Sequence, residues 1–482
     1  MPANYLHGVE TIIIEKGPRP ITGVKTAVIG LVGIAPMLDV ASADRTLNEP
    51  VVVRNPVDAA KYFGTNRSGF TIPAALDAIF DQGNGPICIV VNTIDPASDV
   101  TAVASESKTF AADETLTLDH PQVSSVVVKN EAGDTTYVAD TDYTVDAANG
   151  KITRITTGAI ASGATVKVDY SWLDPSTALA ADIIGAVDVD GNRSGLQSLI
   201  DTYNLFGYVA KMIIAPGFCT QNSVAVEMIA VADKLRAMAL IDAPVGTTVS
   251  EAIAGRGPSG SINFNTSNKR AILCYPHVKR YDTDTDSEVL EPLSQRLAGV
   301  IAAKDVEKGY WWSPSNTEIK GIVGMETPIT ALINDSTTEA NALNEAGIVT
   351  LFNSFGSGIR TWGNRSAAFP TITAPENFIN VQRTADILHE SLEYAMLQFL
   401  DRPINQALID SIRESVNGFI RTLIQRGALI DGTCIYDPAK NPETEIAAGH
   451  LTFDLEFMPP TPAERITFES YINIELLKAL LQ

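Results

Sequence analysis

The pattern of apolar and polar positions changes character three times along the chain. Val9 to Glu15 (VETIIIE) is a β-branched, strand-like run, and the GPRPI after it is stiff and non-helical. Ala27 to Val32 and Pro86 to Asn92 (PICIVVN) are continuously apolar, as in strands buried on both faces. Between them, Asn55 to Gly64 and Pro73 to Gln82 read as short helices, the second ended by Gly83.

Near residue 100 helical periodicity gives way to alternation: VSSVVVKN, TTYVAD, YTVDAANGKITRI and ATVKVDYSW. Asn149-Gly150 between two alternating runs signals a hairpin. The pattern predicts a small all-β domain over residues 101–173, inserted in a loop where the chain's ends lie close.

From Asp174 strands and helices alternate again. Strands are predicted at Val209 to Ala215, Ala239 to Val245 and Ala271 to Pro276, with helices at Gly195 to Tyr203, Ser223 to Met238 and Glu288 to Lys304. The last of these carries the stripe Val289, Leu290, Leu293, Leu297, Val300 and Ile301. Such alternation argues for a mainly parallel sheet covered by helices. The final third changes once more. It predicts a helix from Thr384 to Phe399 and a second opened by Pro403 and capped by Gly427. Alternating strands follow at Leu451 to Phe457 and Arg465 to Ile474, the latter with Ile466, Phe468, Ile472 and Ile474 on one face. The fold class is therefore α/β and α+β. An α/β core spans 25–100 plus 174–365, and an α+β C-terminal domain spans 366–462. Extended arms cover 1–24 and 463–482.

Charge narrows the function. The net charge is −22 in 482 residues, which weighs against nucleic acid as a partner and against an anionic membrane surface. The N-terminus lacks the basic and apolar regions of a signal peptide, and Ala27 to Met37 is too short to span a bilayer. Cys88, Cys219, Cys274 and Cys434 are widely spaced and sit in or beside apolar runs, so they read as buried thiols.

The catalytic patterns fail in context. Gly255 to Gly260 fits G-x-G-x-x-G, but the SINFNTSNK after it opens no apolar helix. Asp282, Asp284, Asp286 and Glu288 begin like a calcium loop. Yet Ser287 replaces the turn glycine and Leu293 the bidentate glutamate, so Asp286 or Ser287 is expected to cap the next helix. The five histidines are scattered, and no metal site or cofactor is expected. The sequence predicts no enzyme.

Several segments together resemble the contractile tail sheath family of bacteriophages and related injection systems. They are Gly8-Val9-Glu10 with Pro18-Arg19-Pro20-Ile21, then TAVIGLVGIAPM (26–37), WSPSNTEIKG (312–321), LNEAGIVT (343–350), GIRTWGNRS (358–366), FINVQRTADILHES (378–391), GALIDG (427–432) and PPTPAERITF (459–468). The resemblance covers about 1–100 and 174–482, leaving the β insertion outside it. It implies a mechanical protein of the virion tail, assembled in the host bacterial cytoplasm. Its subunits would stack as hexameric rings in a helical array around an inner tube, with baseplate and tail terminator proteins as further partners. Contraction would drive the tube through the host envelope. The resemblance further implies that Val9, Thr11, Ile12, Ile13 and Ile14 of one arm, and Ile466, Phe468, Ile472 and Ile474 of the other, cross to neighbouring subunits. Arg413, Arg421 and Arg426 would face the tube. A tailocin or extracellular injection-system sheath is the near alternative. An α/β enzyme with a β insertion is the remote one. The insertion is acidic, with ten Asp/Glu against five Lys/Arg from Glu106 to Asp169, which suits the outer surface of a crowded assembly.

Overall fold

A computed structural model describes residues 20–283, 285–354, 356 and 358–481. The predicted strand at Val9 to Glu15, with Val9, Thr11, Ile12, Ile13 and Ile14, lies outside them.

Eight strands form the central sheet. Six run parallel in the order Ile348–Ser354, Ala271–Cys274, Met238–Asp242, Met212–Ile214, Val28–Gly33 and Ile87–Asn92. Antiparallel strands Gly358–Trp362 and Val51–Val53 close the two edges. Strand alternation sends Ile29 and Leu31 to one face, under helices Ile72–Gln82 and Leu293–Glu307. Val28 and Val32 go to the other, under helix Asn222–Leu235. Both faces are covered, which is why these strands are apolar throughout. Small residues allow close approach. A Cβ on Gly30 would stand 3.0 Å from both Ala210 Cβ and Leu199 Cδ1. One on Gly299 would stand 2.8 Å from the Ile79 carbonyl, where the two helices of the first face cross.

The insertion is two three-stranded antiparallel sheets. One orders Val100–Thr109, Thr165–Leu173 and Val123–Asn130; the other orders Thr115–Thr117, Lys151–Arg154 and Tyr143–Asp146. They enclose a separate core that includes Leu116, Val128, Tyr143, Ile152 and Val168. The Asn149-Gly150 hairpin forms, with Asp146 opposite Lys151 and Gly150 at φ 62°. Val100 pairs with Leu173, so the insertion leaves and rejoins the core at one point. It is also fastened there. The fully buried Gln122 donates to Asp39 at 2.7 Å and accepts the Leu38 N–H at 2.9 Å. Arg67 holds the same Asp39 at 2.8 Å.

Two elements differ from expectation. Residues 288–304 are not one helix. Ser287–Glu291 is a strand paired antiparallel with Val278–Asp282, and the helix begins at Leu293. Pro292 separates them, and Asp286 and Ser287 belong to the hairpin rather than to a helix cap. The second difference is Arg465 to Ile474, which has no ladder. It has no regular secondary structure through Asn473 and is exposed, and a 3₁₀ helix covers Ile474–Leu481. All four cysteines are free and buried. No helix among the described residues is long and apolar enough to cross a membrane.

Candidate functional site: the C-terminal platform and its arm

Helix Ile379–Met396 lies along the rim where the parallel strands begin. Three strand approaches reach it. Lys211, just before Met212–Ile214, pairs with Glu390, both buried. Arg270, just before Ala271–Cys274, holds Asp386 through two hydrogen bonds of 2.6 and 2.9 Å. Val24, leading into Val28–Gly33, donates its N–H to Ser391 Oγ at 3.3 Å. A fourth tie comes from below: Arg383 forks onto Asp305, with one bond of 2.8 Å. Burial pulls the Lys211 ammonium below the ordinary lysine range even with Glu390 beside it. Removing one partner of such a pair strands a buried charge, so the helix has one seat.

The helix carries a small α+β unit. Helix Gln406–Arg426 starts at Asn405, whose side chain accepts the Leu408 N–H, and ends at Gly427 in the left-handed region at φ 79°. Its apolar face, Val416, Phe419, Ile420 and Leu423, packs on Leu388 and on a two-stranded antiparallel sheet, Asp431–Ile435 with Asp454–Met458. This sheet has two outer edges. One is partly occupied: Asn417 Oδ1 accepts the Cys434 N–H at 2.8 Å and Asn417 Nδ2 donates to the Cys434 carbonyl at 3.0 Å. Because residues in a ladder alternate inward and outward, Cys434 points away from its partner strand. By the same parity Leu455 and Phe457, opposite Cys434 and Gly432, turn their backbone groups to the other edge. Among the described residues no side chain is bonded there.

After Met458 the chain runs out as an arm with a fixed root. Asn380 Nδ2 donates to the Trp311 and Pro460 carbonyls at 2.9 and 3.0 Å. Arg365 lies between the rings of Phe369 and Phe378, 4.2 and 4.3 Å from their centroids, and bonds Glu464 at 2.9 Å. From Arg465 to Leu477 the side chains face solvent. Ile466 is 69% exposed, Phe468 89%, Ile472 101% and Ile474 77%. Isolated exposed apolar residues are ordinary, but a row of them on a segment without a strand partner has no rationale in a solitary chain.

The candidate tube-facing arginines sit on helix Gln406–Arg426. Arg413 is 3.2 Å from Asp410, Arg421 is 4.0 Å from Glu414, and Arg426 is exposed at the last turn. Such pairs are weak and screened. Sequence reasoning missed the buried ties. Their signal was present: Arg383, Asp386, Glu390 and Glu393 recur at helical spacing with Ile379, on what a pattern reading takes for a solvated face.

Over its full 482 residues the chain is 54% identical to the tail sheath protein of Burkholderia phage BcepMu, covering 99% of that protein. The chain belongs to the phage tail sheath protein family. Residues 191–367 match the phage tail sheath protein central domain and 374–473 the phage tail sheath C-terminal domain. The tail sheath protein of Escherichia phage P2 is 26% identical over 99% of this chain and 98% of its own. Residues 92–181 match a separate protein family of unknown function, so the β insertion, outside the resemblance in sequence, has relatives of its own. The fold is shared with the helical sheath of the anti-feeding prophage in its contracted state, at TM-score 0.60, 15% identity and coverage of 98% and 100% of the two chains. It is shared also with the contracted sheath complex of an extracellular contractile injection system, at TM-score 0.57 and 14% identity, again covering 98% and 100%. The arm and its platform are thus parts of a structural sheath protein.

Proposed function

We propose that this chain is the repeating subunit of a contractile tail sheath. It polymerises as hexameric rings in a helical array around an inner tube, between a baseplate and a tail terminator. The array shortens to drive the tube through the host envelope. The subunit acts in the virion tail after assembly in the host bacterial cytoplasm. The observation that carries this reading is the exposed apolar arm, rooted at Arg365–Glu464 within the same unit as a two-stranded sheet with one edge that no described residue occupies.

A lone extended segment leaves its backbone donors and acceptors to water, and an open edge does the same. Adding one to the other in a neighbouring subunit satisfies both and buries the apolar face. The edge at Leu455 and Phe457 is the natural acceptor, since Asn417 already holds part of the opposite one. Residues 1–24 supply the second exchanged arm, through Val9, Thr11, Ile12, Ile13 and Ile14. Arg413, Arg421 and Arg426 hold the tube by screened charge, which lets it slip. The acidic insertion stands on the outside of the array.

Negative-stain electron microscopy of the purified chain, with tube and baseplate proteins added, tests this against a variant lacking 465–482. The full chain is expected to give ribbed hollow cylinders, and the truncated chain folded monomers. Cylinders of normal length from the truncated chain would overturn the exchange of the C-terminal arm.

A further inference from the structure

The glycine-rich run Gly255 to Gly260 closes on itself. It follows helix Val249–Ala254, and its two ends touch: a Cβ on Gly260 would stand 2.4 Å from Gly255 Cα, and one on Gly255 would stand 2.4 Å from Ile262 Cγ1. A side chain at either glycine would force the loop open. Closed, the loop presents Arg256, which is half-buried.

Arg256 directs all five of its N–H donors at backbone carbonyls. Nε donates to Ala346 at 2.8 Å, Nη1 to Phe264 at 2.7 Å and to Thr266, and Nη2 to Ala367 at 2.6 Å and Phe369 at 3.0 Å. Burial pulls the guanidinium below the ordinary arginine range, and no ion pair among the described residues offsets it. The rigid planar fork makes such a cation a clamp, because it fits one arrangement of the carbonyls around it. Those carbonyls come from segments distant in sequence, 264–266, 346 and 367–369. The last of these leads from the central sheet to helix Ile379–Met396. It is packed tightly: a Cβ on Gly347, at φ 74°, would stand 2.5 Å from the Phe369 carbonyl oxygen. The ring of Phe369 is one of the two that enclose Arg365, at 4.2 Å, and Arg365 bonds Glu464 at the root of the arm. Arg256 therefore fixes the backbone of the residue whose ring seats Arg365.

We propose that Arg256 is a positioning residue for sheath assembly: through the Phe369 segment it sets the seat of Arg365, and so the direction in which the arm leaves Glu464. The effect on assembly rests on the reading that the arm is exchanged between subunits. The clamp itself acts within one subunit and can be measured there.

The test places spin labels on the full chain at Ala463→Cys, in the arm root, and at Val226→Cys, on the exposed side of helix Asn222–Leu235; the four natural cysteines are buried. The distance between the labels, read by electron–electron double resonance on unassembled subunits, is expected to be single and narrow. Arg256→Lys keeps the charge but offers three donors from one nitrogen, so it should broaden that distance, and Arg256→Met should broaden it further. Ile241→Ala, in the same core cluster as Phe264 and Ala367, is the control for general loss of stability and should leave the distance narrow. Phe369→Leu removes the ring and keeps the carbonyl; it should also broaden the distance, and it serves if the Arg256 variants fail to fold. Apparent affinity falls with the fraction of subunits in the competent conformation, so a root seated in one subunit in about ten raises the concentration needed for assembly about tenfold. A narrow distance in the folded Arg256 or Phe369 variants, equal broadening in Ile241→Ala, or broadening with no change in that concentration would each overturn the proposal. Normal assembly of the chain lacking 465–482 would instead overturn arm exchange, and the distances would still decide whether Arg256 seats the root.

Discussion

Helix Ile379–Met396 and the arm that leaves Glu464 are neighbours held in opposite ways. The helix is fixed by charge taken out of water: Lys211–Glu390, Arg270–Asp386 and Arg383–Asp305 are all buried. The arm is fixed only at its root, at Pro460 and Glu464, and then exposes Ile466, Phe468, Ile472 and Ile474. In both, residues stand where their chemistry is poorly served by a solitary globule. Buried pairs give little net stability but penalise every alternative seat. Exposed apolar side chains give none until another surface covers them. The first arrangement defines one orientation between sheet and platform. The second leaves affinity available for a neighbour.

Three measurements would break or sharpen this contrast. Asp386→Ala leaves Arg270 buried with only the half-exposed Asp233 beside it, and should cost about 3–5 kcal/mol in urea unfolding. The double variant Arg270→Met with Asp386→Leu should recover most of that. If the single substitution costs under about 1 kcal/mol, the pair is not a key.

A smaller effect comes from Lys211. Its folded-state pKa lies below the ordinary value, so over that window the folded protein binds fewer protons than the unfolded chain. Stability from this group therefore rises with pH as the unfolded lysine's ordinary range is approached. Urea unfolding from about pH 8 to 10 should show that slope, and Lys211→Met with Glu390→Leu should remove it. An unchanged slope would place the titration elsewhere.

The smallest effect is on the arm. Ile466→Asp with Phe468→Asp should change the stability of the isolated subunit by less than about 0.5 kcal/mol, because neither side chain is covered. The same variant should fail to assemble by sedimentation. A large loss of subunit stability would mean that the arm folds back on its own body.

Much of the fold was legible because it follows local pattern. Val28–Gly33, Ile87–Asn92 and Met238–Asp242 are apolar at every step, which only a sheet covered on both faces accepts. Alternation from Val100 to Leu173 gave the insertion its strands, and Asn149-Gly150 its hairpin. Gly427 ended the long helix where predicted. What failed was whatever a pattern shares between two outcomes. Val289 and Leu290 continue a helical stripe equally well as strand residues; Pro292 and pairing with Val278–Asp282 decided for the strand. Ile466 to Ile474 alternates as a strand should, but a strand exists only with a partner, and none within the described residues pairs with it.

The site was legible in part for the same reason. The arm's apolar alternation is a local property and could be read directly. Asn417 closing one sheet edge, Arg365 pinned between two phenylalanines, and the ion pairs beneath Ile379–Met396 join residues from 4 to 179 positions apart. Nothing in their immediate neighbourhood distinguishes them from solvated charge.

By itself the sequence determined where most strands and helices form, which segments are apolar on both sides, and that the C-terminal segment carries apolar residues in alternation. Those outcomes depend on backbone preference and on the period of the side chains, both set within a few residues. Only the tertiary structure decided which charges are buried, which edge of the two-stranded sheet no described residue occupies, and how Gln122 and Asp39 fasten the insertion to the core. Burial and hydrogen-bond partnership depend on what long-range folding brings alongside a residue, and a charge or an amide has the same local pattern whether it meets water, a counter-charge or an empty cavity.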